Sequence, residues 1–367
     1  MTKNAAQRRR WTFYEAIKKD KVVKKSRVSG KRFSQRMDAM KVLIVGGAGY
    51  IGSIVTRLLF ENQMDVVVLD NLSLGHRKAL PSAVPLIEGD MADTVLLENL
   101  FSSHRFDAVM HFAAFALVGE SVAAPLAYYH NNVANTVNLL RVMKAFGTRH
   151  FIFSSSAAVF GIPEKIPIPE AHPKAPINPY GWSKHMVEQV LEDSAAAQEI
   201  RFISLRYFNA AGAHPDGTMG EDHARETHLI PLALQAILTG KPLTVLGTDY
   251  DTPDGTCIRD FIHVLDLAEA HLLALDYLLN QKESAVFNLG NQKGFSVNEI
   301  IHVAEKITGE TVPLIHGDRR PGDPPVLVAG SEKIKQALGW NPRFAEIETI
   351  IETAWNWHRS HPFGYAS

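Results

Sequence analysis

The run Met40-Lys-Val-Leu-Ile-Val45-Gly46-Gly-Ala-Gly49-Tyr50-Ile51-Gly52 decides the fold. A short apolar strand enters glycines spaced Gly46-x-x-Gly49-x-x-Gly52, and Ile51, Val55, Leu58 and Leu59 then recur at helical spacing. Glycines in such a turn let the backbone approach a pyrophosphate, and the helix N-terminus presents unpaired N–H groups to its charge. The next apolar run, Val66-Val-Val-Leu-Asp70, ends on an acid 18 residues after Gly52. A carboxylate there accepts hydrogen bonds from an adenosine ribose and repels a 2′-phosphate, favouring NAD over NADP. The spacing departs from the commoner G-x-G-x-x-G, so the flanking strand and helix carry the argument more than the glycines do.

Working outward, Ala108-Val-Met-His111, Phe151-Ile-Phe-Ser154 and Phe202-Ile-Ser-Leu-Arg206 are further β-type runs, with helical stretches at 92–103, 132–146 and 183–197 between them. This alternation predicts an α/β fold, a doubly wound parallel sheet of Rossmann type covered on both faces. After Asn209 the texture changes to turn-rich loops, as in Thr248-Asp-Tyr-Asp-Thr-Pro-Asp-Gly-Thr256, around shorter elements. Two amphipathic helices stand out near 265–279 and 297–308, the second opened by Ser296 with Glu299 three residues on, a capping-box pattern. The reading is an NAD-binding domain over 40–209 and a smaller α/β substrate lobe over 210–367. A segment at about 263–290 is expected to return to the first domain.

Charge divides the chain differently. Residues 1–40 carry 13 Lys and Arg against 3 Asp and Glu, leaving 25 against 36 for the rest. The acidic body argues against nucleic-acid binding. Residues 1–39 read as a basic, disordered leader without the apolar core of a secretory signal. No apolar run reaches the roughly 18 residues that would span a membrane. The single cysteine, Cys257, makes no internal disulfide, which suits a reducing, cytoplasmic setting. The 16 histidines are scattered without a His-Glu-x-x-His or cysteine cluster, so no metal is expected.

The chemistry centres on Asn178-Pro179-Tyr180-Gly-Trp-Ser-Lys184. Pro179 can open a helix, and residues four apart then share a face, placing the Lys184 ammonium near the Tyr180 phenol. A neighbouring cation and an oxidised nicotinamide both favour phenolate, lowering the phenol from its usual pKa of about 10. Such a phenol can take a proton from an alcohol whose carbon is being oxidised. The strand ending Ser154-Ser155-Ser156 offers a hydroxyl to hold the substrate oxygen, and Ser156 is the choice among the three. Asp90, after another extended run, would suit the adenine edge.

Together with His111-Phe112-Ala113-Ala114, Asn131-Asn132-Val133, Tyr207-Phe208-Asn209, Asp254-Gly-Thr-Cys-Ile-Arg259-Asp260 and Arg319-Arg320-Pro321-Gly322-Asp323, these motifs resemble the extended short-chain dehydrogenase/reductase family. Within that family they are similar to its UDP-sugar 4-epimerase branch, from about residue 40 to 365. The resemblance implies reversible 4-epimerisation of UDP-glucose and UDP-galactose through transient oxidation at C4, with tightly bound NAD and a homodimeric assembly. It makes Tyr180 the base, Lys184 its partner and ribose contact, and Ser156 the hydroxyl sharing the substrate oxygen. It places Gly46, Gly49, Tyr50, Ile51, Gly52, Asp70, Asn71, Asp90, Met91, Phe112, Ala113, Ala114, Asn131 and Tyr207 around NAD. It places Phe208, Asn209, His228, Leu229, Leu246, Arg259, Arg320, Asp323 and Leu327 around the UDP-sugar. Guanidinium forks suit a diphosphate and a carboxylate suits a ribose diol.

Several positions depart from the family's habit. Ala116 stands where some members have a lysine near the cofactor, Leu74 replaces a polar residue in the adenosine loop, and Phe160 replaces a tyrosine beside Ser156. His228 replaces an asparagine on the uridine side, and Leu327 occupies the position that gates the sugar's C2 substituent. Ala157 and Ala158 stand where sugar-nucleotide 4,6-dehydratases carry an Asp-Glu pair and UDP-glucuronate decarboxylases a glutamate, which argues against elimination and decarboxylation. UDP-pentose or UDP-N-acetylhexosamine epimerisation, and a non-catalytic NAD-binding regulator, are the alternatives that the sequence leaves open.

Overall fold

A computed structural model describes residues 40–281, 283–320 and 323–366; the expected leader over 1–39 lies outside the described residues. The first unit begins with β1 (Lys41–Val45), α1 (Tyr50–Glu61), β2 (Asp65–Asp70), β3 (Leu86–Glu88), α2 (Thr94–Ser103) and β4 (Ala108–His111). The chain continues through α3 (Val118–Ala123), α4 (Pro125–Tyr128), a π-helical turn at Tyr129–Ala134, α5 (Asn135–Ala145), β5 (His150–Ser156), α6 (Pro179–Ala196) and β6 (Arg201–Tyr207). A seven-stranded sheet results, in the order β10-β6-β5-β4-β1-β2-β3, where β10 is Ala285–Leu289. Every pairing in it is parallel. The strand order reverses between β1 and β4, and a doubly wound sheet opens its crevice at the carboxyl ends of the strands at such a point.

Alternate residues explain why β1 reads as an unbroken apolar run. Val42 and Ile44 face a core with Ile54, Val55 and Leu59 of α1. Leu43 and Val45 face the opposite core with Leu139 and Met143 of α5 and Val187 and Leu191 of α6. A strand covered on both sides has no solvent face to mark with polar residues.

The chain leaves this sheet at Tyr207 and builds a second unit from β7 (Asn209–Ala211), α7 (Leu229–Thr239), β8 (Leu243–Leu246) and β9 (Ile258–His263). It then returns as α8 (Val264–Gln281) and β10 (Ala285–Leu289). The α8 residues Leu267, Leu272 and Leu275 join the β1 core, and β10 pairs with β6. The remainder is β11 (Gly294–Ser296), α9 (Val297–Thr308), β12 (Leu314–Gly317), β13 (Val326–Leu327), α10 (Glu332–Leu338) and α11 (Ile347–Ser360). β9 pairs with β7, β11 and β13, while β8 and β12 form a separate parallel pair. Ile230 and Leu234 of α7, Ile300 of α9 and Ile350 and Ile351 of α11 make the core of this unit. The capping box at Ser296 and Glu299 is formed as expected. No helix among the described residues is long and apolar enough to cross a membrane.

Candidate active site

A cavity of about 910 Å³ runs along the carboxyl edge of the parallel sheet and on to α7, β9 and β13 of the second unit. That volume is near the upper end of ordinary small-molecule sites, roughly 300–1,000 Å³. Its floor is the glycine turn between β1 and α1. Gly46 has φ +79°, and a Cβ there would lie 2.4 Å from the Ala113 nitrogen; one on Gly52 would lie 2.2 Å from the Gly46 carbonyl oxygen. Both positions therefore need glycine, and the turn delivers Gly49 as the N-cap of α1. Asp70, at the end of β2, accepts from Ala48 N at 2.8 Å and Leu72 N at 2.9 Å. Burial raises the pKa of its carboxyl group, and these two N–H bonds and His76 pull it back. An ionised carboxylate has about four acceptor positions, so the bonds that brace the turn leave capacity for a ribose diol. Asn71 Nδ2 donates to Asp90 Oδ2 at 2.7 Å, and Asp90 Oδ1 accepts from Ala92 N at 2.8 Å. The donor-lined turn and the buried acid at the end of β2 fit an NAD adenosine diphosphate.

Phe112, Ala113, Ala114 and Asn131 continue the cavity wall, with Met91 and Tyr207 also on it. Asn131 lies in the π-helical turn, a local irregularity that recurs at functional sites. Its neighbour Asn132 is the brace that sequence reasoning did not single out. Asn132 is buried; it accepts from Phe115 N at 2.9 Å and donates to Phe115 O at 2.9 Å and Ser183 Oγ at 3.0 Å. It thus ties the loop after β4 to the catalytic helix one residue before Lys184.

The start of α6 is specified locally. Asn178 accepts from Gly181 N at 2.9 Å as N-cap, and Pro179 occupies the first turn. The helix consequently begins four residues before the 183–197 stretch expected from apolar spacing. Tyr180 and Lys184 share a face, the Lys184 Nζ lying 5.8 Å from the phenol ring centroid. Lys184 is 4% exposed, and its ammonium donates to Ser154 O at 2.8 Å. Burial lowers its pKa to about 7, opposed by Glu188 one turn on.

Tyr180 behaves differently from the sequence expectation. Burial raises its pKa, and the group that pulls it down is the Ser156 hydroxyl rather than Lys184. The reason is geometric: the ammonium is aimed at the Ser154 carbonyl. Ser156 itself accepts from Ala158 N at 3.1 Å. Ala157 and Ala158 line the cavity beside it, so no carboxylate stands at those two places.

A buried pair supports this wall and was invisible in the sequence. Glu188 and Arg206 are 0% and 1% exposed and bond at 2.7 Å. Glu188 Oε1 also accepts from Arg206 Nε at 2.8 Å and Ser155 Oγ at 2.7 Å. The bonds lock α6 to β5 and β6. Phe160 is fully buried with its ring 5.1 Å from the Arg206 guanidinium, so it packs behind the wall rather than lining it.

On the substrate side the cavity is lined by Phe208, Asn209, His228, Leu229, Arg259, Arg320, Asp323 and Leu327. Arg259 of β9 pairs with Asp323 and donates to Ile258 O at 2.7 Å, so β9 is clipped to the segment that leads into β13. His228 caps α7; burial lowers its pKa, but Glu221 and Glu226 outweigh that and hold it at about 9. Ala116 and Leu74, the two departures near the cofactor, also line the wall. Leu246 is not among the lining residues: Leu243 and Val245 take the inward positions of β8, and Leu246 lies on the other side, over Gly317. Every other expected site residue borders this one cavity.

A glycine-turn dinucleotide site sharing its cavity with a Ser-Tyr-Lys cluster defines an oxidoreductase-type Rossmann protein of the short-chain class. Residues 42–290 match the NAD dependent epimerase/dehydratase family. The chain is 50% identical over 329 residues to the UDP-glucose 4-epimerase of Streptococcus mutans, covering 89% of this chain and 99% of that protein. A crystal structure of a UDP-glucose 4-epimerase superposes with a TM-score of 0.86 at 48% identity, covering 89% of this chain and 99% of that one. The Bifidobacterium longum UDP-glucose 4-epimerase in complex with NAD+ and UDP superposes with a TM-score of 0.85 at 38% identity, covering 89% of this chain and 100% of that one. The chain belongs to the NAD dependent epimerase/dehydratase family.

Proposed function

We propose that this chain interconverts UDP-glucose and UDP-galactose by reversible 4-epimerisation, with NAD as its resident cofactor. The observation that carries the reading is the wall Ser156-Ala157-Ala158 facing Tyr180 and Lys184 in a cavity that also holds Arg259, Arg320 and Asp323. It supplies a proton carrier and a site for a nucleoside diphosphate, with no second acid at the two positions where elimination would need one. The similar proteins bear UDP-glucose 4-epimerase names, and one was solved with NAD+ and UDP.

When bound, NAD would reversibly take up the C4 hydrogen together with the two electrons of its bond as the sugar's C4 becomes a ketone. Gly46, Gly49 and Gly52 shape the turn for its pyrophosphate, Asp70 accepts from its adenosine ribose, and Lys184 reaches its other ribose. Tyr180 Oη takes the proton from the C4 hydroxyl while Ser156 Oγ holds that oxygen. Arg259 and Arg320 hold the diphosphate, and Asp323 the uridine ribose. A substrate anchored by its UDP end can present either face of the 4-ketose, and Tyr180 returns the proton after the ring has turned. Inverting C4 requires a loosely held sugar, because one fixed pose would restore the original configuration. Leu327 borders the sugar end and sets how wide a C2 substituent can be.

The protein acts as a homodimer in the cytoplasm, in our reading. Val122 and Leu126 of α3 and α4 are 64% and 82% exposed, and Trp182 and Met186 of the adjoining α6 are 41% and 40% exposed. Such an apolar group on packed helices suits an interface between copies. The partially buried Cys257 is the only cysteine, which suits a reducing compartment. Offering UDP-galactose, UDP-N-acetylgalactosamine and UDP-arabinose separately and identifying each product tests the substrate assignment. Turnover of UDP-galactose to UDP-glucose is expected, and turnover of UDP-arabinose alone would replace the assignment with a pentose epimerase.

A further inference from the structure

The coil between β7 and α7 carries Glu221-x-His223-x-x-Glu226-x-His228. One ligand atom from each of these four side chains lies within 4.8 Å of all the others. His223 Nδ1 stands 3.4 Å from Glu221 Oε1 and 3.3 Å from Glu226 Oε2. His228 Nδ1 stands 3.7 Å from Glu226 Oε1 and also pairs with Glu221 Oε1. Around a tetrahedral ion bound at about 2.0–2.1 Å, adjacent donor atoms lie roughly 3.3 Å apart. The two His223 separations match that spacing, the His228–Glu226 one is longer and is made by the other Glu226 oxygen, and the His228–Glu221 pair is drawn together in a hydrogen bond that an ion would have to open.

The quartet is braced from outside, as ligand sets are. Glu226 Oε1 accepts from Thr227 N at 2.7 Å and His228 N at 2.8 Å, which fixes the carboxylate plane. Glu221 O accepts from Trp357 Nε1 at 3.1 Å, which anchors the coil to α11. The Glu221 and Glu226 side chains are 3% and 5% exposed, so two carboxylates converge where water is largely excluded. Protonated, the two imidazoles balance the buried carboxylates as ion pairs; once deprotonated, the same four side chains carry two negative charges, which match a divalent ion.

We propose that Glu221, His223, Glu226 and His228 form a structural binding site for a divalent transition-metal ion of the zinc type. The mixed imidazole and carboxylate set suits such an ion better than magnesium or calcium, which favour all-oxygen ligands. With four protein ligands the site is closed, so its role is to fasten the coil to the first turn of α7. That turn carries His228 and Leu229 into the substrate cavity. The expectation that the histidines hold no metal rested on their scatter, with neither a His-Glu-x-x-His motif nor a cysteine cluster. This set comes from a coil, where close approach does not follow from sequence spacing.

The test uses the full chain purified without a polyhistidine tag, loaded with Zn2+ or Co2+, desalted into metal-free buffer, and analysed for metal content and visible absorption. The expected result is about one ion per chain and intense four-coordinate Co2+ bands. The His223→Gln/Glu226→Gln double variant should retain at least tenfold less metal. EDTA should lower the Tm of the native protein, and Zn2+ should restore it. Native protein that retains no ion above background, equal retention by the double variant, or six-coordinate Co2+ spectra would overturn the site and leave the quartet as a proton-linked ion-pair cluster. Should the double variant not fold, the Co2+ spectrum and EDTA response of the native protein decide the matter.

Discussion

Burial acts in opposite directions on Tyr180 and Lys184, raising the phenol and lowering the ammonium to about 7. Both shifts favour the uncharged forms, so the phenol keeps its proton near neutrality, and the positive charge of an oxidised nicotinamide is what would draw it toward the phenolate that a base requires. Replacing Tyr180 with Phe is expected to lower kcat by about 10²–10⁴-fold while UDP binding, read by calorimetry, is kept. Near-native turnover would mean that another group moves the proton. Lys184 gives a pH prediction. Its folded pKa of about 7 lies below the roughly 10.4 of an unfolded lysine. The unfolded chain therefore holds more protons between these values, and the cost of burying this group is full below pH 7 and relieved as pH rises toward about 10. In nucleotide-free protein, Lys184→Met should gain Tm relative to native more at pH 6 than at pH 9. An equal difference at both pH values would contradict the burial account. The Tyr180–Lys184 spacing was legible because a helix puts i and i+4 together. The identity of the group that tunes the phenol was not, because the direction of the Lys184 ammonium depends on the Ser154 carbonyl across the strand.

At the scale of elements, the catalytic wall is held by a buried ion pair. Glu188 of α6 and Arg206 of β6 are 18 residues apart in sequence and exchange two hydrogen bonds, at 2.8 and 2.7 Å. Removing one partner of such a pair leaves an uncompensated charge, so Glu188→Ala should cost about 3–5 kcal/mol in chemical denaturation. A loss near that of an exposed ion pair, about 0–1 kcal/mol, would contradict the buried network. The strands and helices themselves were readable from apolar runs, glycines and caps. The pair was not, since a charged residue in a strand or helix reads as solvent-facing until the packing is known. The π-helical turn carrying Asn131 likewise has no signature in a run that otherwise reads as one helix over 132–146. Leu246 shows the converse limit: the alternation along β8 reads correctly, but sequence does not say that the whole strand stands away from the cavity, as it does here.

For the whole molecule, the doubly wound sheet followed from strands and helices in alternation. The chain returns to that sheet over 264–289, where a return at about 263–290 was expected, although an apolar helix alone does not say which sheet it covers. The four-ligand coil was hidden because a loop's path depends on the two units it joins. The exposed Val122, Leu126, Trp182 and Met186 predict assembly: Leu126→Lys should shift the protein toward monomer in sedimentation, and an unchanged mass would remove this surface from the interface. The central claim is that one cavity oxidises C4 and restores it without net redox. The most direct measurement is to incubate the purified chain with UDP-galactose and no added nucleotide, and to follow the products by NMR. The account predicts catalytic conversion to a UDP-glucose/UDP-galactose equilibrium, with NAD released only when the protein is denatured. Failure to convert without stoichiometric NAD, or accumulation of a dehydrated or decarboxylated sugar, would contradict it.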